Sequence, residues 1–151
     1  MTDAEIQLDG FVAKFSDIVA DQARTALGRM RQLVPGAISL VYDNYNALAV
    51  GFGATEKQAG LVFSIAIYPR WVSLFFSHGI DLFDPHGLLK GEGSRIRHIV
   101  LAGVETLDDP RVIALIEQAL AKAPFPIDPS RPNLLIIQSI SAKQKPRRHS
   151  A

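Results

Sequence analysis

Apolar positions at the start of the chain follow a helical period. Between Leu8 and Val34 they recur at spacings of three and four residues, which is the pattern of an amphipathic helix with one buried face. Ser16-Asp17 supplies helix-capping residues inside this stretch, so we predict a short helix to about Lys14 and a longer one to Val34. Pro35-Gly36 then ends the second helix, because proline disfavours helical dihedrals in the residue before it.

Beyond Gly36 the chain changes to short runs rich in β-branched and aromatic residues, separated by turn formers. Asp109-Pro110 then combines a helix cap with a proline in the first turn, which predicts a third helix to about Ala123. The predicted strands are 37–43, 47–53, 61–68, 71–78, 97–103 and 133–141. We therefore predict one α+β domain over residues 1–141, an antiparallel sheet of about five to six strands flanked by N-terminal and C-terminal helices.

The strand at 71–78 is apolar on both faces. Alternation places Trp71, Ser73 and Phe75 on one face, and Val72, Leu74 and Phe76 on the other. We expect the N-terminal helix to cover the face of Trp71, leaving its indole partly buried near the end of the sheet. An uncovered face would instead make Trp71 a candidate for stacking on a ligand.

Composition narrows the classes of protein. The chain has 151 residues, 48% hydrophobic and 21% charged, with no cysteine, so a disulfide framework, a thiolate nucleophile and a cysteine-ligated zinc site are excluded. No apolar run approaches the ~20 residues of a membrane-spanning helix. The N-terminus is acidic and does not resemble a signal peptide. We expect a cytoplasmic protein without a membrane partner.

The net charge of +1 is unevenly distributed. Four of the 16 basic residues lie in the last nine positions, at Lys143, Lys145, Arg147 and Arg148, and the rest of the chain has 12 bases against 15 acids. This excess of acids over bases argues against nucleic acid as a partner, although the basic end of the chain could contact it. We predict that residues 142–151 form a disordered basic tail.

One candidate site is a glycine-containing loop with cations. Glycines allow backbone N–H groups to converge on an anion, and cations add charge-assisted hydrogen bonds. The predicted anion-binding residues are Lys90, Gly91, Gly93, Ser94, Arg95 and Arg97. Alternatively, this is a connecting loop whose arginines pair with Glu92, Asp81 or Asp84.

A second candidate is a metal site at His78, Asp81, Asp84 and His86. Two imidazoles and two carboxylates within nine residues suit iron or zinc. Alternatively, Asp84-Pro85 is a turn initiator, and the four side chains do not meet.

A third candidate is an aromatic pocket. Tyrosine and tryptophan beside a few polar groups line many ligand clefts. The candidates are Tyr42, Tyr45, Phe52, Trp71 and Phe75, of which all but Phe52 are the pocket-lining residues we favour. Core packing of a small sheet uses the same residue types.

The segment from Trp71 to Leu101 carries a resemblance to a family. "WVSLFF" followed by "LFDPHGLLKGEGSRIRHIVL" and an Asp-Pro-started helix resembles the YdhG-like proteins, small bacterial proteins mostly of unknown function. The resemblance extends from about Arg24 to Ala123 and implies a frataxin-like fold, and one member has been described as an iron chaperone. The chain departs from the family in "GAISLVYDNYN", which has Tyr42 but no glutamate and no proline.

Two functions follow as hypotheses. The first is a non-enzymatic binding module for a small anionic ligand or a metal, iron by the resemblance. Catalysis is not favoured, because there is no G-x-S-x-G elbow and the paired carboxylates Asp108-Asp109 are explained by a helix cap. The alternative is a protein–protein interaction module that pairs through a sheet edge. Either is compatible with a monomer or a homodimer.

Overall fold

Three α-helices lie against one face of a six-stranded sheet in the computed structural model, which describes residues 1–149, the side chain of Val104 excepted. The helices are α1 (Asp3–Val12), α2 (Asp17–Leu33) and α3 (Pro110–Lys122). The strands are β1 (Ile38–Asp43), β2 (Leu48–Gly53), β3 (Leu61–Ile67), β4 (Val72–Phe76), β5 (Arg97–Val100) and β6 (Leu134–Ile140). The predicted α+β class is confirmed.

The order of strands across the sheet is β5-β4-β3-β2-β1-β6. All neighbours are antiparallel except β1 and β6, which are parallel. The sheet is therefore mixed, and the prediction of a purely antiparallel sheet was wrong at this pair. The chain leaves β5 at one edge, passes through α3 and reaches β1 at the far side, and such a long crossover connection permits parallel pairing.

The helix boundaries follow from local capping, as the sequence predicts. The Ser16 hydroxyl accepts a hydrogen bond from the Val19 N–H at 3.3 Å, at the start of α2. The Asp109 carboxylate accepts one from the Arg111 N–H at 2.9 Å, and Pro110 occupies the first position of α3. Each cap satisfies a backbone donor that has no partner within the helix.

The hydrophobic core lies between the helices and one face of the sheet. Val50, Ile65 and Leu74 form one cross-strand row of this face, packed with the apolar sides of the helices. Phe52 and Phe76 lie on the same face and are fully buried. Most of the buried hydrophobic side chains belong to this core, and Leu40 and Ala66 are among those buried outside it.

The opposite face, which we call the open face, carries Trp71, Ser73 and Phe75. Trp71 is 42% exposed, and its ring stacks on the ring of Tyr68 instead of packing against a helix. The expectation that the N-terminal helix covers Trp71 was wrong. Both faces of 71–78 are apolar, but the helices pack on the face that carries Val72, Leu74 and Phe76.

No helix within residues 1–149 is long and apolar enough to cross a membrane.

Candidate functional site

The C-terminal segment is fixed to the turn after β1 by a buried ion pair. The Arg147 guanidinium donates to Asp43 Oδ1 at 2.9 Å and to the Asn44 carbonyl at 2.6 Å. The side chains of Arg147 and Asp43 are only 4% and 2% exposed, and the guanidinium lies 5.6 Å from the centre of the Phe15 ring. A buried charge is tolerated only where it is paired and hydrogen-bonded, which these contacts provide.

Further hydrogen bonds hold the same segment along the β1–β2 turn. The Ser141 N–H and the Gln144 side-chain amide both donate to the Asp43 carbonyl, and the Lys145 N–H donates to the Tyr45 carbonyl at 2.9 Å. The prediction of a disordered tail over 142–151 therefore does not hold as far as His149; residues 150 and 151 lie outside the described residues. The prediction failed because it assumed that the charges of this segment are solvated, whereas the fold buries the charge of Arg147.

Small side chains on the open face leave room for a ligand. Ala49, Ser64 and Ala66 are neighbours across β2 and β3, and none of the three belongs to the core that packs against the helices. Together with Tyr45 and Phe75 they line a cavity of about 570 Å³, here called the face cavity. Its described lining contains no carboxylate, imidazole, lysine or arginine, so it suits an apolar or uncharged part of a ligand.

A second concavity of about 720 Å³ adjoins the first, and the two share Asn46 and Tyr68. We call it the tail cavity. Its lining residues are Asn46, Tyr68, Pro69, Arg70, Trp71, Lys145, Pro146, Arg148 and His149. It thus has three lysine or arginine side chains and, among the residues described, no carboxylate, which makes it attractive to an anion.

The aromatic wall of the tail cavity is a stacked pair. The rings of Tyr68 and Trp71 have centroids 4.7 Å apart and an interplanar angle of 22°. The Tyr68 N–H donates to the Trp71 carbonyl at 2.9 Å, closing the tight Pro69-Arg70 turn that brings the two rings together. Partial burial raises the pKa of the Tyr68 phenol above its ordinary value, so its hydroxyl is neutral at pH 7.

The predicted anion-binding loop is only partly available to a ligand. Arg97 donates to the Gly93 carbonyl at 2.5 Å and to the Ile96 carbonyl at 2.8 Å, so its guanidinium closes the loop on itself. Lys90 pairs with His98 through two backbone hydrogen bonds of 2.8 Å, which extends the sheet beyond β5. Lys90, Gly91 and Arg97 therefore do not share a concavity with Gly93, Ser94 and Arg95, and anion binding by this loop stays a prediction.

The remaining part of that loop lines a third concavity, of about 650 Å³, which we call the loop cavity. Gly93, Ser94 and Arg95 line it together with His78, whereas Lys90, Gly91 and Arg97 do not. Arg95 makes no ion pair or side-chain hydrogen bond within the described chain. The loop cavity shares Ser64, Ser77 and Ile96 with the face cavity, so the three concavities form one groove along the open face.

The predicted metal ligands do not assemble. The two oxygens of Asp84 accept hydrogen bonds from the Leu88 and Leu89 N–H groups at 3.0 and 2.8 Å, which is the turn role of an aspartate. Among residues 1–149 no three histidine or carboxylate side chains are grouped as a metal site. His78, Asp81, Asp84 and His86 therefore do not form a metal site in this fold.

The predicted aromatic pocket is divided between the two faces of the sheet. Tyr45 and Phe75 line the face cavity and Trp71 the tail cavity, whereas Phe52 belongs to the core. The Tyr42 hydroxyl is buried without a hydrogen-bond partner in the described chain, and burial raises its pKa. Tyr42 lines none of the three concavities.

Sequence reasoning missed the cations of the tail cavity. Arg70 was visible only as part of a turn, and Lys145 and Arg148 only as part of a charged end. The only sequence signal was the absence of acids from the last nine residues. Their position depends on Arg147, whose burial joins residues about a hundred positions apart.

Comparisons of this chain with models of protein families, with curated proteins and with solved structures give no match.

Proposed function

We propose that the protein is a non-enzymatic binding module for a small organic anion, held in the groove of the open face with its charged end in the tail cavity. The observation that carries this proposal is the lining of that cavity: Arg70, Lys145 and Arg148 beside an exposed aromatic pair, with no carboxylate among the described lining residues. Cavities lined by one sign of charge concentrate ligands of the opposite sign.

The geometry of the three cations supports an anionic ligand. Arg70 makes no ion pair or side-chain hydrogen bond with the described residues. Arg148 uses its Nε–H for the Lys14 carbonyl, at 3.2 Å, and so keeps its terminal nitrogens for another acceptor. The Lys145 ammonium lies 5.7 Å from the centre of the Tyr45 ring. Charge-assisted hydrogen bonds from such groups are the strong ones.

The adjoining face cavity supports binding rather than catalysis. It would take the uncharged body of the ligand against Ala49, Ala66 and Phe75. Its described lining offers no carboxylate or imidazole that could transfer a proton, as general acid–base catalysis requires. The resemblance to the YdhG-like family, and with it a frataxin-like assignment, belongs to this proposal, but iron does not, because the predicted ligands are apart.

Thermal unfolding in the presence of anions tests the proposal. A ligand that binds only the folded state stabilises it by ~2.7 kcal/mol at a hundred times its dissociation constant. We expect pyrophosphate and organic phosphates to raise the melting temperature of the wild type, and Arg70→Ala with Lys145→Ala to remove the rise. Arg131→Ala, which removes an exposed cation outside the three concavities, is the matched control and should retain it. A wild-type melting temperature that does not respond to any of these anions contradicts the proposal.

β6 is an edge strand without an outer partner strand among residues 1–149, and this favours a second candidate function, pairing with another protein chain. The strand Leu134–Ile140 has no charged residue, and Leu134 and Ile140 are 47% and 53% exposed. The opposite edge differs, because Lys90 already pairs with His98 outside β5. Exposed apolar edge strands are templates for pairing with a further strand.

We propose a second copy of the chain as the partner of β6. The molar mass in solution tests this, measured by light scattering over a range of concentrations. We expect Ile140→Lys to shift the protein toward monomer, and Ile18→Lys, at a more exposed position on α2, to leave the mass unchanged. A monomeric wild type at the highest concentration contradicts the pairing.

A further inference from the structure

The stacked rings of Tyr68 and Trp71 are a feature of the tail cavity that binding of a simple anion would not require. Trp71 is the outer ring of the pair, is 42% exposed and lines the tail cavity. An aromatic face open to a cavity binds a second planar ring by stacking, and tryptophan and tyrosine are the residues on which nucleic-acid bases stack. The cavity therefore offers a site for a planar group as well as for an anion.

The cations lie around the same cavity as the rings. Arg70 belongs to the turn between Tyr68 and Trp71, and Lys145 and Arg148 reach the cavity from the C-terminal segment. A phosphate has a charge of about −1.5 to −2 at neutral pH and three acceptor oxygens, which suits two or three such donors. A ligand with a planar ring and a phosphate could use both features together.

We infer that the ligand of the tail cavity is a nucleotide, with its base stacked on Trp71 and its phosphate held by Arg70, Lys145 and Arg148. This inference rests on the proposed function and names its ligand class, and it places the base of the ligand on Trp71 instead of in the face cavity. The volume of about 720 Å³ lies within the range of small-molecule sites.

A free mononucleotide fits better than a nucleic-acid strand. A strand needs cations along its whole path, whereas the adjoining face cavity has no charged residue in its described lining. The chain outside the last nine residues also has more acids than bases, 15 against 12. The positive charge is thus local and sufficient for one phosphate group.

Calorimetric titration with adenosine 5′-monophosphate, adenosine, ribose 5-phosphate and pyrophosphate at one ionic strength tests the inference. We expect the mononucleotide to bind at least tenfold more tightly than ribose 5-phosphate. Because Trp71 is the only tryptophan of the chain, its fluorescence should change with the mononucleotide and not with ribose 5-phosphate.

Variants separate the two halves of the site. Trp71→Leu should abolish the preference for the mononucleotide without weakening ribose 5-phosphate, and Trp71→Phe should restore part of it. Arg70→Ala should weaken both phosphates about tenfold or more, and Arg131→Ala, outside the groove, should weaken neither. Circular dichroism and melting temperature confirm that each variant is folded.

The outcomes distinguish this inference from the proposed function. Equal affinity for the mononucleotide and ribose 5-phosphate overturns the nucleotide assignment and leaves the anion site standing. No binding of any phosphate overturns both. Binding of an eight-residue oligoadenylate, with none of the mononucleotide, overturns the assignment in favour of a single strand.

Discussion

Arg147 and Asp43 are 104 positions apart in the chain and form an ion pair of 2.9 Å with both side chains almost completely buried. The pair connects the last part of the described chain to the end of β1, the strand on which the C-terminal β6 is also aligned. Two polar atoms of this pair, Asp43 Oδ2 and Arg147 Nε, are buried and have no hydrogen-bond partner in the described chain. Removal of either charge therefore leaves the other buried and largely unpaired.

Arg147→Ala should lower the free energy of unfolding by about 3–5 kcal/mol, because it leaves the Asp43 carboxylate buried without its counter-ion. Urea unfolding followed by circular dichroism measures this loss. Arg24→Ala is the matched control, since Arg24 pairs with Asp9 at the surface, and it should cost less than about 1 kcal/mol. Equal losses in the two variants would contradict the buried pair.

Deletion of residues 143–151 should destabilise the protein as much as Arg147→Ala does, for the same reason. Asp43→Leu in the shortened chain should recover much of the loss, because an apolar residue at that position needs no counter-ion. Differential scanning calorimetry of the two shortened chains decides the matter. A shortened chain as stable as the full one would mean that the segment is not packed.

Trp71→Ala should reduce the free energy of unfolding by no more than about 1.5 kcal/mol, the contribution of one stacked aromatic pair. Phe76→Ala, on the helix-covered face of β4, should cost about 3–5 kcal/mol. The fluorescence of the single tryptophan should be readily quenched by iodide. Protection of the fluorescence from iodide in the free protein would mean that Trp71 is buried, which would contradict the prediction.

Gly36 and Gly28 should respond in opposite directions to substitution by alanine. Gly36 has a φ of +82°, and an added Cβ would collide with the Asp128 carbonyl, so we expect a loss of more than about 1 kcal/mol. Gly28 lies within α2 with open space around it, so its replacement should stabilise by about 0.5–1 kcal/mol. Chemical denaturation of the two variants measures both signs.

The stability of α3 should depend on pH through Asp109. Hydrogen bonds from the Arg111 guanidinium and N–H hold the pKa of the Asp109 carboxyl below its ordinary value of 3.8. A depressed pKa in the folded state stabilises above the unfolded pKa, and this contribution is lost as the pH falls through the folded value. The melting temperature of the wild type should therefore fall relative to that of Asp109→Asn below about pH 4. A constant difference from pH 7 to pH 2 would contradict this.

Local chemistry made much of the secondary structure predictable. Ser16 and Asp109 cap their helices as their neighbours in sequence suggest, and the Pro69-Arg70 turn closes where two apolar runs meet. The covered face of β4 was not predictable in the same way, since both of its faces are apolar and the packing of α2 decides between them. The parallel entry of β6 beside β1 likewise depends on a crossover that no local pattern encodes.

The candidate site was less predictable than the fold. The glycine loop at 90–97 has the composition of an anion site, yet Arg97 satisfies carbonyls of its own loop. The cations of the tail cavity looked like a solvated end, because the burial of Arg147 cannot be read from its neighbours. A pattern of charge indicates which groups are present, but long-range contacts decide which of them face a ligand.

The pairing of β1 with β6 also has a consequence during synthesis, because β1 leaves the ribosome long before its partner strand does. β1 is complete by residue 43, but its outer partner spans Leu134–Ile140, and Arg147 is needed to neutralise Asp43. Until those residues have left the ribosome, the nascent chain has a long apolar edge and a carboxylate without its counter-ion. Contacts of such large sequence separation form slowly, and unpaired strand edges are prone to aggregate meanwhile. Once residue 147 is available, β6 pairs with β1 and Arg147 reaches Asp43, whereas a chain arrested before residue 134 would depend on chaperones.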